Sequence, residues 1–343
     1  MSSREATPAN GGAAQPQATV SGLPAVTVVI PAYNRAATLG ATLASVAAQT
    51  WQDLEVIVVD DASQDTTVQV ALSGTHGVPV RVIVMPRNGG ACRARNAGLA
   101  EARGRYVTFL DSDDTWHPDF LSTLVGMLET AGPDTGCAAC SYAAHDPNGR
   151  VTRVVRQRVQ GDIAAAMLRG NPVGATSCAV MRSDVARSIG GFDPDFVACQ
   201  DYDIFIRLSQ VTRFVTTTEI LFNYSDDPGR DRITGNQRRR LQGLLTIHRK
   251  HLRHGLQDDP RARDAFKGRV ADILMRIGRA RLARPLMLSA SNAQPVSPRA
   301  HLRCLLAYIG ASPARYTRTL KWFDAGYATL VKLAARIPGR GRL

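Results

Sequence analysis

The chain has no long hydrophobic run. No stretch of its 343 residues approaches the roughly 20 consecutive apolar residues that a membrane-spanning helix needs, and no positively flanked apolar segment resembles a secretory signal. The six cysteines are scattered apart from one Cys-x-x-Cys pair, which favours reduced cytosolic thiols over a disulfide framework or a zinc site. These absences predict a cytoplasmic protein that is either soluble or bound to a membrane surface.

Large apolar side chains are also scarce in residues 1–23, which are rich in Ala, Gly, Pro, Gln and Ser. This composition predicts a disordered tail. The whole chain is 44% hydrophobic, enough to fill a core, but it is long for one ordinary domain. We therefore expect a catalytic core of about 220 residues followed by an appendage that begins near residue 228.

Strand and helix patterns alternate from residue 26 to residue 130. Three apolar, β-branched runs each precede a turn and a helical pattern, at residues 26–30, 54–59 and 80–84. This alternation predicts right-handed βαβ units and a parallel sheet, whose ligand crevice lies beyond the carboxyl ends of the strands.

A fourth apolar run, Val107-Thr108-Phe109-Leu110, leads directly into Asp111-Ser112-Asp113-Asp114. Three carboxylates this close repel one another unless a cation neutralises them. Hard oxygen ligands with few accompanying His or Cys suit Mg²⁺ or Mn²⁺, and such ions usually bind together with phosphate groups. The alternative is that these residues form only a turn and the N-terminus of a helix.

Asp60 and Asp61, which follow the second strand, belong to the same predicted edge as Asp111 and Asp113. Together the motifs resemble those of the inverting family 2 glycosyltransferases, which have the GT-A fold. In chain order these motifs are Val29-Ile30-Pro31-Ala32-Tyr33-Asn34, Val58-Val59-Asp60-Asp61-Ala62-Ser63, Ala94-Arg95-Asn96-Ala97-Gly98, Phe109-Leu110-Asp111-Ser112-Asp113-Asp114, Gly190-Gly191-Phe192-Asp193 and Gln200-Asp201-Tyr202-Asp203. One position departs from the pattern, because Gln200 stands where this family often has Glu.

The resemblance implies a Rossmann-like, mostly parallel central sheet flanked by helices. The length and the charge of the chain add a basic helical C-terminal extension over residues 228–343. It also implies a donor-binding half over residues 24–130 and an acceptor-binding half over residues 131–227. Asp113, assisted by Asp111, would hold Mg²⁺ or Mn²⁺. The candidate donor-binding residues are Pro31, Ala32, Tyr33, Asp61, Arg93, Asn96, Asp111 and Ser112.

Several assignments stay open between two interpretations. Asp61 is placed to accept an N3–H group of a uracil-type base, whereas Asp60 either contacts the ribose or base or caps a turn. Arg93, Arg95 and Asn96 follow a glycine pair on a predicted helix, where a cation either reaches the donor phosphates or buttresses the acidic strand ends. The alternative is that they lie on a solvated helix face. The polar segment 225–232 is either a linker or a loop that closes over the diphosphate through Arg230 or Arg232.

The acceptor needs a base, because a sugar hydroxyl has a pKa far above neutrality. The resemblance assigns this role to Asp201, at the start of a predicted helix. A single carboxylate and direct attack would invert the anomeric centre. The negative charge of Asp203 is expected to stabilise the N-terminus of this helix, and its carboxylate is expected to pair with Arg207. The segments 174–182 and 189–193 are predicted to be a strand and a glycine turn of the acceptor floor.

Positive charge is concentrated at the C-terminal end of the chain. Residues 228–343 carry a net charge of +19, whereas the rest carries −6. An apolar stripe at helical spacing from Leu320 to Ile337 lies among these cations, and it either packs on the parent domain or rests on an anionic membrane surface. Nucleic acid is an improbable partner, since no fold for it accompanies the charge.

The predicted partners are therefore a nucleotide-sugar donor, a glycan or lipid-linked acceptor and an anionic surface at the inner face of the plasma membrane. Two other classes compete with the transferase. A nucleotidyltransferase also uses acids and metal on an α/β sheet, but it usually has a Gly-rich phosphate loop where this chain has Pro31-Ala32-Tyr33-Asn34. The other rival is a non-catalytic protein that binds a nucleotide sugar or a membrane surface.

Overall fold

The computed structural model describes residues 23–74, 77–227, 236–253, 255–292 and 298–334. The predicted N-terminal tail therefore lies outside the described residues, apart from Leu23, and so do Arg230, Arg232 and Ile337. None of the described helices combines the length and apolar character needed to cross a bilayer.

One mixed sheet organises the described residues. Its strands, in chain order, are β1 (Val26–Ala32), β2 (Leu54–Asp60), β3 (Val80–Val84), β4 (Tyr106–Phe109), β5 (Thr115–Trp116), β6 (Thr135–His145), β7 (Val151–Val155), β8 (Ala179–Arg182) and β9 (Arg213–Ser225). The spatial order is β3-β2-β1-β4-β8-β6-β9-β5, and β7 pairs with β6 at the side of this path. The first four strands in this order are mutually parallel, as the βα alternation predicts.

Helices surround the sheet and continue beyond it. They are α1 (Leu39–Ala47), α2 (Thr67–Leu72), α3 (Ala91–Glu101), α4 (Phe120–Thr130), α5 (Ala164–Arg169), α6 (Ser183–Ser188), α7 (Gln200–Ser209), α8 (Gln237–Ile247), α9 (Gly255–Asp258), α10 (Pro260–Arg276), α11 (Ala280–Asn292), α12 (Pro298–Tyr308) and α13 (Pro313–Ala334). The predicted strand over 174–182 is wrong in its first half, because residues 176–178 form a 3₁₀ turn and only β8 is extended.

Alternation along β1 divides the core between the two faces of the sheet. Val28 and Ile30 pack with residues of α1 and α4, whereas Val29 packs with residues of α3. Successive side chains of a strand point to opposite faces, so a strand buried on both sides is mostly apolar, and a buried polar side chain such as Thr27 is hydrogen-bonded, here to Glu55. This explains why β1 has no polar alternation.

The C-terminal helices share the core on the α3 side. Leu244 of α8, Val270 of α10 and Leu320 of α13 belong to the same hydrophobic cluster as Val29. The first part of the predicted 320–337 stripe therefore packs inward, since Leu320 is buried while Trp322 is exposed. Leu320, at the start of the stripe, thus packs on the parent domain.

Helix α3 approaches β1 closely at a glycine. A Cβ atom added to Gly98 would lie 2.3 Å from Val29 Cγ1, and the β-branched Val29 has little freedom to move. We expect Gly98→Ala to lower the free energy of unfolding by about 1–3 kcal/mol through overpacking. Urea denaturation monitored by circular dichroism measures this change.

Gly126 in α4 is the matched control. A Cβ atom added there would meet nothing within 4 Å. Gly126→Ala should raise the free energy of unfolding by about 0.5–1 kcal/mol, because alanine loses less conformational entropy in a helix. Equal effects of the two substitutions would contradict the close approach of α3 to β1.

Candidate active site

Acidic strand ends meet at one edge of the sheet. Ala32 pairs with Asp60, and Val29 pairs with Phe109, so the residues after β1, β2 and β4 emerge side by side. The Asp111–Asp114 segment turns back on itself there, since Asp114 N–H donates to Asp111 O over 3.0 Å. The predicted convergence of these segments is present in the structure.

The buried guanidinium of Arg95 joins this edge to helix α7. Its Nη2 lies 2.5 Å from Asp111 Oδ1, and its Nη1 donates to Gln200 Oε1 over 2.9 Å. The ring of Phe192 covers the guanidinium at 5.2 Å. Burial disfavours the charged form, but Asp111 outweighs it and the pKa of Arg95 is raised. Arg95 therefore remains charged and bridges the predicted donor and acceptor halves.

Asp201 lies in the first turn of α7, next to Gln200. Asn171 Nδ2 donates to Asp201 Oδ2 over 3.3 Å and to Gly174 O over 2.7 Å. Burial raises the pKa of the Asp201 carboxyl, and nearby Asp111 acts in the same direction, whereas the Tyr202 N–H and Arg95 oppose the shift. A carboxylate with a raised pKa is a stronger base, which suits proton removal.

Three residues with unfavourable backbone conformations surround this edge. Asn34 after β1, Ala62 after β2 and Cys199 before α7 have φ values of 52°, 61° and 62°. Side-chain-bearing residues rarely adopt this left-handed conformation, which costs of order 1 kcal/mol and is found most often at functional sites. Hydrogen bonds hold the first two turns together, because Asn34 N–H donates to Ser63 Oγ and Asn34 Oδ1 accepts from Gln64 N–H.

Asp60 and Asp61 differ in their surroundings although both are buried. Asp61 accepts the N–H groups of Gly89 and Gly90 through its two oxygens, each over 2.7 Å. Asp60 Oδ2 accepts Ser63 N–H, which is the turn-capping contact that the sequence allowed. Asp60 Oδ1 is buried without a hydrogen-bond partner in the described part of the chain. Such an oxygen calls for a ligand or water.

The other predicted donor-binding residues have different positions. Pro31 and Ala32 are buried in β1, beyond its last pair with β4, whereas the Tyr33 ring is 40% exposed at the strand exit. Arg93 is exposed on α3 beside Gly89. Asn96 exchanges two hydrogen bonds of 2.7 Å with the backbone of Phe192. The side chain of Asn96 therefore fastens α3 to the glycine turn at residues 189–193. Arg95 is the residue of α3 that contacts the carboxylate of Asp111.

Ser112 and Asp113 occupy the turn after β4. Ser112 is buried and Asp113 is partly exposed. No group of three or more His, Cys, Asp or Glu side chains among the described residues is arranged as a metal centre. The Asp111 and Asp113 carboxylates are hard oxygen donors, so they fit Mg²⁺ or Mn²⁺ that takes its remaining ligands from phosphate and water.

Sequence reasoning missed two contributors to this site. Asn171 holds Asp201 and also accepts Val173 N–H and Gly174 N–H. Ser177 Oγ accepts the N–H of Asp111 over 3.1 Å. The Asn171-Pro172 dipeptide before Gly174 predicts a turn at this position. It does not predict that the turn lies beside Asp201.

The raised pKa of Asp201 has a measurable consequence for stability. Because its folded-state pKa exceeds the unfolded value of about 4, the ionised carboxylate costs stability at neutral pH, and this cost disappears as the pH falls below that value. Asp201→Asn should raise the free energy of unfolding at pH 7 by about 0.5–2 kcal/mol. The gain should shrink as urea titrations are repeated toward pH 4.

Asp203, in the same helical turn, is the matched control. Its oxygens lie 2.5 Å from Arg207 Nη2 and 2.6 Å from His251 Nε2, which confirms the expected pair with Arg207. Asp203→Asn should lower the free energy of unfolding by about 2–4 kcal/mol, because it breaks a buried ion pair. Destabilisation by both substitutions would show that Asp201 is a structural carboxylate.

Comparisons with known proteins agree with this arrangement. The profile of the family described as glycosyl transferase family 2 matches residues 27–190. The amylovoran biosynthesis glycosyltransferase AmsB of Erwinia amylovora is 32% identical over 207 residues, covering 57% of this chain and 68% of AmsB. An uncharacterized glycosyltransferase of Haemophilus influenzae is 28% identical over 55% of this chain, which spans 63% of that relative.

Two solved structures share the fold. The mannosyltransferase PcManGT from Pyrobaculum calidifontis, in complex with GDP-Man and Mn²⁺, superposes with a TM-score of 0.58 at 21% identity, covering 91% of this chain and 87% of that one. S. aureus TarS 1–349, in complex with UDP-GlcNAc, gives a TM-score of 0.56 at 15% identity over 88% of this chain and 92% of that one. The predicted GT-A fold is confirmed. Given also the 32% identity to AmsB over more than two thirds of its length, the chain belongs to glycosyl transferase family 2.

Proposed function

We propose that the protein moves a sugar from a nucleotide-diphosphate donor to a hydroxyl group of a glycan or lipid-linked acceptor, with inversion at the anomeric carbon. The observation that carries the proposal is the Arg95 bridge, which fastens the Asp111 strand end to the start of α7 that bears Asp201. A donor bound at the strand ends thereby lies next to a carboxylate that can act as base.

The reaction is a single displacement. The acceptor oxygen attacks the anomeric carbon, its proton passes to Asp201, and the bond between the anomeric carbon and the β-phosphate oxygen breaks. Attack from the face opposite the leaving diphosphate inverts the anomeric centre. Asn171 orients the carboxylate through the 3.3 Å contact with Oδ2. Arg95 keeps the positive charge between Asp111 and Asp201 that limits their mutual repulsion.

Mg²⁺ or Mn²⁺ held by Asp113 and Asp111 would neutralise the charge that develops on the departing diphosphate. The GDP-Man complex with Mn²⁺ of PcManGT supports this assignment. Ser112 and the exposed Tyr33 ring are proposed donor contacts at the same edge, and so is Arg93. Asp60 joins Asp61 as a proposed contact of the ribose or base, because its Oδ1 is buried without a partner in the described residues.

Uracil is the proposed base of the donor nucleotide, because the carboxylate oxygens of Asp61 and Asp60 can accept a hydrogen bond from its imide N–H group. The complex of TarS with UDP-GlcNAc supports a donor of this class. For the acceptor, we propose a growing bacterial polysaccharide, supported by the name of AmsB as an amylovoran biosynthesis enzyme. We also propose a peripheral location on the inner face of the plasma membrane, where lipid-linked acceptors are exposed.

Donor turnover tests the assignment of the two carboxylates. Purified protein is incubated with Mn²⁺ and a panel of UDP-, dTDP- and GDP-sugars, and nucleotide release is measured with polyhydroxyl acceptors. Asp201→Asn should lose at least ~100-fold in turnover, because proton removal fails, yet retain the thermal shift produced by donor and Mn²⁺. Asp113→Asn should lose the Mn²⁺-dependent part of that shift.

Asp119→Asn serves as control, because Asp119 is an exposed carboxylate at the start of α4 and its loss should leave both readouts unchanged. If the wild-type protein binds donors but turns none over with any acceptor, it is a binding protein rather than a transferase. Formation of a nucleotide sugar from a sugar phosphate and a nucleoside triphosphate would instead favour a nucleotidyltransferase.

Asn171 is expected to act as a positioning residue. Asn171→Ala should lower kcat by about 10- to 100-fold, because a misplaced base transfers protons poorly, while the donor-induced thermal shift is retained. Asn171→Asp can still accept the N–H groups of Val173 and Gly174. It loses the donation to Gly174 O and places a second carboxylate beside Asp201. The like charge should raise the pKa of Asp201 and move the acidic limb of the kcat/KM profile to higher pH.

Asn148→Asp is the matched control for this charge change, because Asn148 is exposed in the turn between β6 and β7. Its pH profile should coincide with that of the wild-type protein. If Asn171→Asp also leaves the profile unmoved, Asn171 supports the 171–174 turn without positioning the base.

A further inference from the structure

Helices α11 and α12 form an antiparallel pair with an exposed apolar face. Arg284 Nε donates to Ala307 O over 2.8 Å, and Cys304 Sγ lies 3.3 Å from Met287 O, so the pairing runs in opposite directions. Met287 and Leu306 are buried in the core that α10 shares. The exposed residues of the pair include Leu282, Leu305, Tyr308 and Ile309, which are 61%, 56%, 75% and 54% exposed.

Their spacing places these side chains opposite the packed side of each helix. Leu305 and Tyr308 of α12, with Ile309 directly after it, recur at helical spacing. Arg303, on the other side of α12, reaches Asp272 of α10 over 3.3 Å. Trp322 of the neighbouring α13 is 78% exposed. An ion pair of 2.8 Å between Arg299 and Asp324 fastens α13 to α12. Aromatic and aliphatic side chains are thus exposed on three adjoining helices.

The stretch between Asp272 and Asp324 carries charge of one sign only. Between Asp272 and Asp324 the sequence has nine Arg and Lys residues and no Asp or Glu. Arg276 and Arg303 pair with Asp272, and Arg299 pairs with Asp324. Six cations of this stretch have no ion pair within the described part of the chain, namely Arg279, Arg281, Arg284, Arg315, Arg318 and Lys321.

We propose that this surface of α11, α12 and α13 docks on an anionic lipid bilayer, with the apolar side chains in the headgroup region and the cations against the lipid phosphates. Trp and Tyr with Leu and Ile, flanked by Arg and Lys, are the composition of an interfacial surface. An attachment of this kind lies in the bilayer interface and needs no membrane-spanning helix. The proposal stands independently of the donor chemistry.

The charge pattern separates the bilayer from other occupants. A second copy of the chain would bring two cationic surfaces together, which costs free energy. A nucleic acid would use the cations but would leave the apolar side chains in water. An anionic bilayer is complementary to both features at once, and attraction contributes about fivefold in binding for each cation near the surface.

Vesicle flotation tests the proposal with the full-length protein. Binding is measured on phosphatidylcholine vesicles with and without phosphatidylglycerol, at low and high salt. We expect binding that requires phosphatidylglycerol and weakens with salt. Leu282→Ser should lower the partition coefficient by about 5- to 10-fold, and Arg315→Gln combined with Arg318→Gln by about 20-fold.

Matched controls lie in the catalytic part. Leu72 has the same 61% exposure as Leu282, so Leu72→Ser should bind vesicles like the wild-type protein. Arg150 and Arg158 are exposed, and their double replacement by Gln should have no effect on binding. The emission of Trp322, obtained by difference from Trp322→Phe, should shift to shorter wavelength when phosphatidylglycerol vesicles are added.

Several outcomes would overturn the proposal. Absence of binding to phosphatidylglycerol vesicles would do so, and so would equal losses in the control variants. A wild-type dimer that Leu282→Ser dissociates, without vesicle binding, would assign the face to a second copy. If the wild-type protein binds short duplex DNA but not vesicles, and the combined Arg315→Gln and Arg318→Gln replacement abolishes DNA binding, the face is assigned to nucleic acid.

Discussion

The buried guanidinium of Arg95 is the interaction on which the site depends. Asp111 leaves the end of β4 and Asp201 begins α7, and two carboxylates brought this close from separate segments repel each other. Arg95 reaches the first directly and the second through the neighbouring Gln200, so one cation holds both segments in place. A neutral Gln200 leaves the charge of Arg95 to be shared by these two carboxylates alone, whereas a Glu at that position would compete for it.

Several features that suit this site to catalysis lower the stability of the folded protein. Burial raises the pKa of Asp201, and Asn34, Ala62 and Cys199 adopt unfavourable backbone conformations around the same edge. A base with a raised pKa and tightly bent strand exits suit a reacting site, but each costs free energy of folding. The apolar sheet, packed on both faces, supplies the stability that offsets these costs.

The appended helices are part of how the base is held. His251 lies 2.6 Å from the buried Asp203, and Lys250 lies 2.5 Å from Asp193 beyond the glycine turn. The segment after α8 thereby braces α7 two residues from Asp201. The C-terminal region and the α3 side of the sheet also share one hydrophobic core.

By itself the sequence determined the parallel half of the sheet, the start of α7 and the meeting of the acidic strand ends. The spacing of apolar residues identifies strands and helices locally, and parallel strands all end at the same edge of the sheet, so the residues that follow them meet there. The sequence missed the 3₁₀ turn at residues 176–178, a small-residue segment whose β-branched Thr176 also suits a strand. Only the tertiary structure decided that Arg95 bridges the carboxylates while Asn96 binds the Phe192 backbone, since neighbouring helix positions point in different directions. It alone placed Asn171 beside Asp201, because contacts between segments that are distant in the chain depend on how the helices pack, which no local pattern encodes.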